Sequence, residues 1–267
     1  MKKKRADDLM IEQGLVESKN EALSYIMSGK VFTRKEIKIL TPGEKLDANT
    51  ALYIKGLEKK YVSRGGFKLE KALTKFQVDL TDKIILDIGA STGGFTDVAL
   101  KNGAKKVYAL DVGTNQLAWE LRSHEQVIVM EQTNFRHSVP EDFTEGQAEL
   151  ATIDVSFISL ALILPALYPI LKENGEVIAL IKPQFEAERE EVGEGGIISD
   201  PEIYRSVLNK VIRMAAAESF GLKDLTISPI QGTKGNIEFL AYFVKDFHLE
   251  IDQETLVDEF LIKENLK

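Results

Sequence analysis

The chain has 267 residues, 44% hydrophobic and 28% charged, with 19 Gly and 7 Pro, the composition of an ordinary globular protein with room for one large domain and one small one. It has no Cys and only three scattered His, which excludes disulfides, thiolate metal sites, iron–sulfur clusters and a cysteine nucleophile and leaves no metal site to expect. The net charge of −8 hides an asymmetry, because residues 1–75 hold 17 Lys+Arg against 10 Asp+Glu and the remainder 17 against 32; the front of the chain is the part suited to a polyanion.

The start, Met1-Lys2-Lys3-Lys4-Arg5, is charged like the beginning of a signal peptide, but Ala6-Asp7-Asp8 follows where an apolar region belongs. The longest apolar stretch, Phe157 to Leu171, is interrupted by Ser159, Pro165 and Pro169 and falls short of the roughly 20 residues needed to cross a bilayer. A cytoplasmic protein without stable membrane association is expected. Leu9, Met10 and Leu15, then Ala22, Leu23, Ile26 and Met27, recur at helical spacing, the second run opening after Ser18 and stopping at Gly29. Extended segments are expected at Val31–Leu40 and Ala51–Lys55, separated by the turn Thr41-Pro42-Gly43-Glu44. Arg5 and Asp7 opening a helix, Gly14-Leu15-Val16-Glu17-Ser18 leading into a second, and then Gly29-Lys30-Val31 resemble the S4-type RNA-binding domain. The chain departs from that pattern at Phe32-Thr33-Arg34-Lys35-Glu36, where the family has a glycine-containing turn. Residues 1–58 are assigned to this unit and 59–82 to a linker and leading helix; Lys59, Lys60 and Arg64 make the junction basic.

From residue 83 the pattern alternates: apolar runs Ile84–Ile88, Val107–Leu110, Val127–Met130, Ala151–Ile153 and Val177–Ile181 are separated mostly by helical-length intervals. That predicts a wound, mostly parallel α/β sheet. A helix is expected over Pro201–Phe220, then strands Leu225–Ile230 and Ile237–Val244 joined by Gly232-Thr233-Lys234-Gly235, a connection so short that the last strand must be antiparallel. Seven such strands over 83–245 resemble the Rossmann-like class I methyltransferase fold. The tail, 246–267, is read as a terminal helix through Leu256, Phe260 and Leu261.

Within this domain, Ile84 to Phe95 is an apolar strand turning through Gly89-Ala90-Ser91-Thr92-Gly93-Gly94 into a helix. A Walker loop needs a lysine after Gly94, and Phe95 stands there. A dinucleotide fingerprint needs glycine at position 91, which is Ser91. S-adenosylmethionine has no pyrophosphate and needs only close passage of the loop, with Asp87 at the strand end and Asp111 one strand later to accept the ribose hydroxyls. The methyl donor is favoured, with a nicotinamide or flavin cofactor and a purely structural turn as alternatives. The cofactor-binding candidates are Asp87, Gly89, Ser91, Gly93, Gly94 and Asp111.

Asp154 and Lys182 end two inferred neighbouring parallel strands, and chemistry in open α/β sheets gathers at that carboxyl edge. Glu238 begins the antiparallel strand, so it reaches the same edge; Lys68 precedes the first strand, and a helix there can carry it over the cleft. These four are the catalytic candidates. Ser63–Leu69, Asp87–Asp97, Asp154–Leu160, Leu180–Glu186 and Gly235–Leu240 resemble the signature segments of the TlyA family. That resemblance implies an FtsJ-like domain fused to an S4-type unit, methylating the 2′-hydroxyl of cytidine in ribosomal RNA, with ribosomal RNA or subunits as partner. It also maps a Lys-Asp-Lys-Glu tetrad onto Lys68, Asp154, Lys182 and Glu238. The chain departs from the family over Ala187–Tyr204, where Glu188, Glu194 and Ser199 replace an expected glycine, lysine and arginine. Rival readings are a non-catalytic RNA-binding protein, a small-molecule methyltransferase and a membrane-active haemolysin.

Overall fold

The computed structural model describes residues 3–16, 18–56, 60–232, 235–247 and 253–266. Glu17, Lys59 and the turn residues Thr233 and Lys234, all part of the sequence readings, lie outside them. The chain divides into two compact units, Met1–Ser63 and Arg64–Lys267.

In the smaller unit the elements run β1 (Lys3–Arg5), α1 (Ala6–Glu12), α2 (Lys19–Met27), β2 (Val31–Thr33), β3 (Lys45–Asp47) and β4 (Leu52–Ile54). β1 pairs antiparallel with β3, and β2 with β4. Leu9, Met10, Ala22, Ile26 and Ile39 form its core. The Ser18 hydroxyl accepts the Glu21 N–H at 3.2 Å and opens α2, and Gly29 at φ +69° closes it. Only Val31–Thr33 of the expected Val31–Leu40 segment is a regular strand. The chain then reverses, so that Phe32 bridges Lys38, with Glu36 at φ +60°. Thr33 Oγ1 accepts the N–H groups of Lys35 and Ile37, and the Tyr53 hydroxyl donates to the Glu36 carboxylate at 2.8 Å. These bonds support at Glu36 the left-handed conformation that glycine adopts without help.

The larger unit contains α3 (Gly65–Phe76), β5 (Ile84–Ile88), α4 (Gly94–Lys101), β6 (Lys106–Leu110), α5 (Trp119–Arg122), β7 (Val127–Met130), β8 (Ala148–Ile153), α6 (Leu164–Ile170), β9 (Leu171–Ile181), α7 (Pro183–Glu186), α8 (Pro201–Ala217), β10 (Phe220–Ile227), β11 (Phe239–Lys245) and α9 (Gln253–Lys263). The sheet order is β10-β11-β9-β8-β5-β6-β7. β9, β8, β5, β6 and β7 are parallel, and β11 runs antiparallel to both β9 and β10, the direction expected of it, although the connection spans 228–238 and is longer than the turn expected at 232–235. The central strands are buried on both faces, which is why they read as continuous apolar runs.

Several boundaries differ from the sequence reading, among them the last connection, where β10 ends at Ile227 and β11 starts at Phe239, so that Glu238 immediately precedes its strand. Ser219 at φ +61° stops the helical path, so α8 ends at Ala217 and β10 starts at Phe220 instead of Leu225; the register shift between Leu222 and Asp224 breaks the alternation that would have revealed it. β8 begins at Ala148 because Glu149 faces outward and accepts the Ile84 N–H at 3.0 Å. β9 begins at Leu171, ahead of the polar run Lys172-Glu173-Asn174, with Asn174 at φ +54°. α9 buries Val257, Phe260 and Leu261 and ties to α8 through Arg205–Asp258 at 2.7 Å.

Candidate active site

The tips of β5, β6 and β8 form the edge where the loop 89–94 lies. Gly89 and Ala90 N–H groups both donate to the Leu110 carbonyl, at 2.8 and 3.0 Å, and the Asp154 N–H donates to Ile88 at 3.0 Å. Gly89 has φ +85°, and a Cβ there would stand 2.6 Å from the Asp154 carbonyl oxygen. Gly93 precedes α4 at φ +97°, and a Cβ on it would meet Leu121 at 2.3 Å. Ser91 also has a positive φ, +49°. Its N–H donates to Asp111 Oδ2 at 2.8 Å, while Gly113 N–H donates to Oδ1 at 2.7 Å. Gly94 is the buried first residue of α4.

Asp87 lies beneath this loop. Its buried carboxylate accepts the hydroxyls of Thr96 at 2.7 Å and Thr152 at 2.9 Å. Burial pushes its carboxyl up to about 6, against the pull of those two donors and with a smaller push from the Asp154 charge. The sequence reading puts this acid at the cofactor; the structure turns it inward, where it joins β5 to α4 and β8.

The four charged candidates meet in one alternating row. Lys68 Nζ lies 2.7 Å from Glu238 Oε2 and 3.6 Å from Asp154 Oδ2. Lys182 Nζ lies 2.6 Å from Asp154 Oδ1 and donates to Ser156 Oγ at 3.0 Å. The register explains the convergence: Phe239 pairs with Ile181, which brings Glu238 beside Lys182, and Ile153 pairs with Ala179. α3 delivers Lys68 because its far end is fixed, with Phe76 stacked on Tyr242 at 5.4 Å and Lys75 bonded to Asp224 at 3.0 Å. Asp154 is thus flanked by two cations, so removal of either leaves a partly buried charge less compensated.

Several polar residues that the sequence reading missed hold this edge together. Glu131, just after β7, accepts the N–H groups of Asn115 and Gln116 at 2.9 and 3.1 Å and bonds Arg122 at 2.5 Å. The Arg122 bond and those N–H donors hold its carboxyl down at about 2. It thereby shapes the segment that follows Asp111, and Ala118 at the end of that segment donates to the Thr92 carbonyl at 3.1 Å. Asn236, two residues before Glu238, accepts the Ile198 N–H at 3.0 Å and donates to the Gly196 carbonyl at 2.8 Å. Within Ala187–Tyr204, Glu188 pairs with Lys210 at 2.7 Å. Buried Glu186 accepts the Ser159 hydroxyl and the Leu160 N–H, and burial raises its carboxyl above the usual range. Three residues beyond Asp154, Phe157 is 90% exposed at φ +64°, its ring 5.0 Å from that of Phe185.

The description FtsJ-like methyltransferase matches residues 61–245, the whole of this sheet. The chain belongs to the FtsJ-like methyltransferase family. Among its relatives, the Bacillus subtilis protein named "Putative rRNA methyltransferase YqxC" is 55% identical over 241 residues, covering 90% of this chain and 85% of the relative. The Mycobacterium tuberculosis protein named "16S/23S rRNA (cytidine-2'-O)-methyltransferase TlyA" is 38% identical, covering 89% and 88%, which bears out the TlyA resemblance. A solved structure, "Putative hemolysin from Streptococcus thermophilus", superposes with a TM-score of 0.80 at 50% identity, covering 99% of this chain and 98% of that one. In this FtsJ-like chain, no helix among the described residues is long and apolar enough to cross a membrane, and no group of three His, Cys, Asp or Glu among them is arranged to hold a metal.

Proposed function

We propose that the protein transfers a methyl group from S-adenosylmethionine to the 2′-hydroxyl of a cytidine ribose in ribosomal RNA, with Lys68, Asp154, Lys182 and Glu238 as its catalytic residues. The observation that carries this reading is the alternating row ending at Lys182, directly beside a loop whose Gly89 admits no side chain against Asp154. The relative named for cytidine-2′-O methylation supports the choice of acceptor.

The residues fit the methyl donor. Asp111 is partly exposed, and each of its oxygens keeps a lone pair beyond the N–H bonds from Ser91 and Gly113, enough to accept a ribose diol. Gly89, Ser91, Gly93 and Gly94 supply the close backbone, and Asp87 serves the loop from below. When bound, S-adenosylmethionine supplies an electrophilic methyl group on its sulfonium.

A ribose hydroxyl is a weak nucleophile at neutral pH, so the protein must orient it and handle its proton. Two of the three directions around Lys182 Nζ go to Asp154 and Ser156; the third serves the 2′-oxygen, either as an N–H that stabilises the growing oxyanion or, in the neutral amine, as the lone pair that takes the hydroxyl proton while the O–CH3 bond forms and the S–CH3 bond breaks. Asp154 fixes the Lys182 amine, and Lys68 with Glu238 fixes Asp154. The S4-type unit, residues 1–58, is proposed to dock the RNA. Its Lys3, Lys4, Arg5 and Lys45 share one surface depression with Asp8 and Glu12, and phosphate contacts of this kind weaken steeply with salt.

The test is transfer of labelled methyl to separated ribosomal subunits, followed by alkaline hydrolysis. Label in alkali-resistant dinucleotides containing cytidine, absent with Lys182→Ala, is the expected result. Label in mononucleotides places the methyl on a base and overturns the reading.

A further inference from the structure

Asp154 and Lys182 stand on two separate turns, 154–160 after β8 and 182–186 after β9, and the chemistry proposed above requires these turns to keep one relative position. Besides the Lys182–Asp154 ion pair itself, three further side-chain contacts join them. Lys182 Nζ reaches Ser156 Oγ at 3.0 Å, the Phe185 ring packs at 5.0 Å from the Phe157 ring, and the Glu186 carboxylate receives the Ser159 hydroxyl at 2.6 Å and the Leu160 N–H at 2.8 Å. The first two contacts end on exposed residues, Ser156 and Phe157. The third is enclosed, Glu186 being only 4% exposed.

Glu186 is itself held from behind, because Lys210 on α8 donates to its carbonyl oxygen at 2.9 Å. Its reach forward extends further than one bond. Ser159 Oγ, while donating to Glu186, accepts the Ala161 N–H at 3.2 Å and so opens the single 3-10 turn Leu160–Leu162. The strained residue of the turn, Phe157 at φ +64°, lies between Ser156 and this anchor. A non-glycine residue keeps such a conformation only where its surroundings impose it, and a buried carboxylate that takes two donors from the same turn is the group suited to do so.

We propose that Glu186 is a positioning residue, a buried strut from α8 through α7 to the 154–160 turn that sets the Lys182–Asp154–Ser156 geometry without touching the substrate. This inference rests on the function proposed above. A carboxylate that merely stabilises the fold would, on removal, lower stability and all binding together; a strut on the reacting geometry lowers the rate while leaving substrate affinity in place.

The experiment uses the full-length chain and its Glu186→Ala and Glu186→Gln variants. Steady-state methyl transfer to ribosomal subunits gives kcat and KM, calorimetry gives S-adenosylmethionine affinity, and acetic anhydride labelling with mass spectrometry gives the reactivity of the Lys182 amine relative to the other lysines. For Glu186→Ala the expected result is a kcat lower by about 10- to 100-fold at unchanged KM and donor affinity, with Lys182 acetylated severalfold faster. Glu186→Gln, which retains an acceptor for the Leu160 N–H, recovers most of both losses. Wild-type kcat and wild-type Lys182 reactivity in Glu186→Ala overturn the inference. So does a loss of rate that is matched by lost donor affinity and is not recovered by Glu186→Gln. If the wild-type protein methylates no ribosomal RNA, the functional reading fails by itself, and Lys182 reactivity still decides the strut: faster labelling supports it and unchanged labelling overturns it.

Discussion

The loop 89–94 and the charged row beside it occupy the same sheet edge but are built from different materials. The loop is made by main chain: Gly89 and Gly93 take left-handed conformations at φ +85° and +97°, and its contacts with β6 are N–H bonds to a carbonyl and a carboxylate. The row is made by side chains from four distant elements, held by charge alternation between Glu238, Lys68, Asp154 and Lys182. A main-chain site admits a ligand through shape and is broken by an added atom. A side-chain site acts through charge and is broken by a removed one.

The sharpest way to separate the two is Lys182→Ala. Loss of a positioned acid–base group costs about 100- to 10,000-fold in rate, while donor affinity by calorimetry stays at the wild-type value because nothing in the loop has changed. Gly89→Ala attacks the other material. Its Cβ would meet the Asp154 carbonyl at 2.6 Å, and with the backbone strain at that φ the expected loss is about 2–4 kcal/mol by urea unfolding. A variant as stable as wild type there contradicts the close approach. Asp111→Ala removes the acceptor of two N–H groups and of the proposed diol; at about 1.5–3 kcal/mol for bonds to a charged group, the donor Kd rises roughly 10- to 100-fold.

Asp87→Asn probes what lies underneath the loop. Its folded carboxyl, pushed up to about 6 from an ordinary 3.8, binds its proton more tightly than in the unfolded chain. Stability from this group therefore falls as pH rises from 3.8 to about 6 and is flat above, a loss on the order of 2 kcal/mol. Asn has no such titration, so unfolding free energies of the variant and the wild type should diverge in the variant's favour over that window. Parallel curves would show that Asp87 is not the buried acid described here.

The sheet and both halves of the site were legible for physical reasons that differ. Central parallel strands are almost wholly apolar, Asp87 being the exception in β5, so Ile84–Ile88 and Val177–Ile181 stand out as runs, and the turn expected at 232–235 makes β11 antiparallel, although the strands themselves end at Ile227 and start at Phe239. Those two facts place Asp154, Lys182 and Glu238 on one edge from the sequence pattern. Lys68 required α3, whose register is set by Phe76 against Tyr242 and not by spacing. The roles of Glu131, Glu186 and Asn236 were not legible, although the last two fall inside quoted signature segments, because a lone polar residue carries no periodic signal and nothing in the sequence points Glu186 to Ser159 or Asn236 to Gly196. Asp87 was legible as an acid at a strand end but not in its direction, which Thr96 and Thr152 determine.

The measurement that tests the division of labour most directly is single-turnover methyl transfer to ribosomal subunits at saturating S-adenosylmethionine, with Lys182→Ala and Asp111→Ala run side by side. The account predicts that Asp111→Ala, once saturated, transfers at close to the wild-type rate, while Lys182→Ala binds the donor and transfers almost nothing. A saturated Asp111→Ala that is as slow as Lys182→Ala would contradict it, because loop and row would then act as one unit.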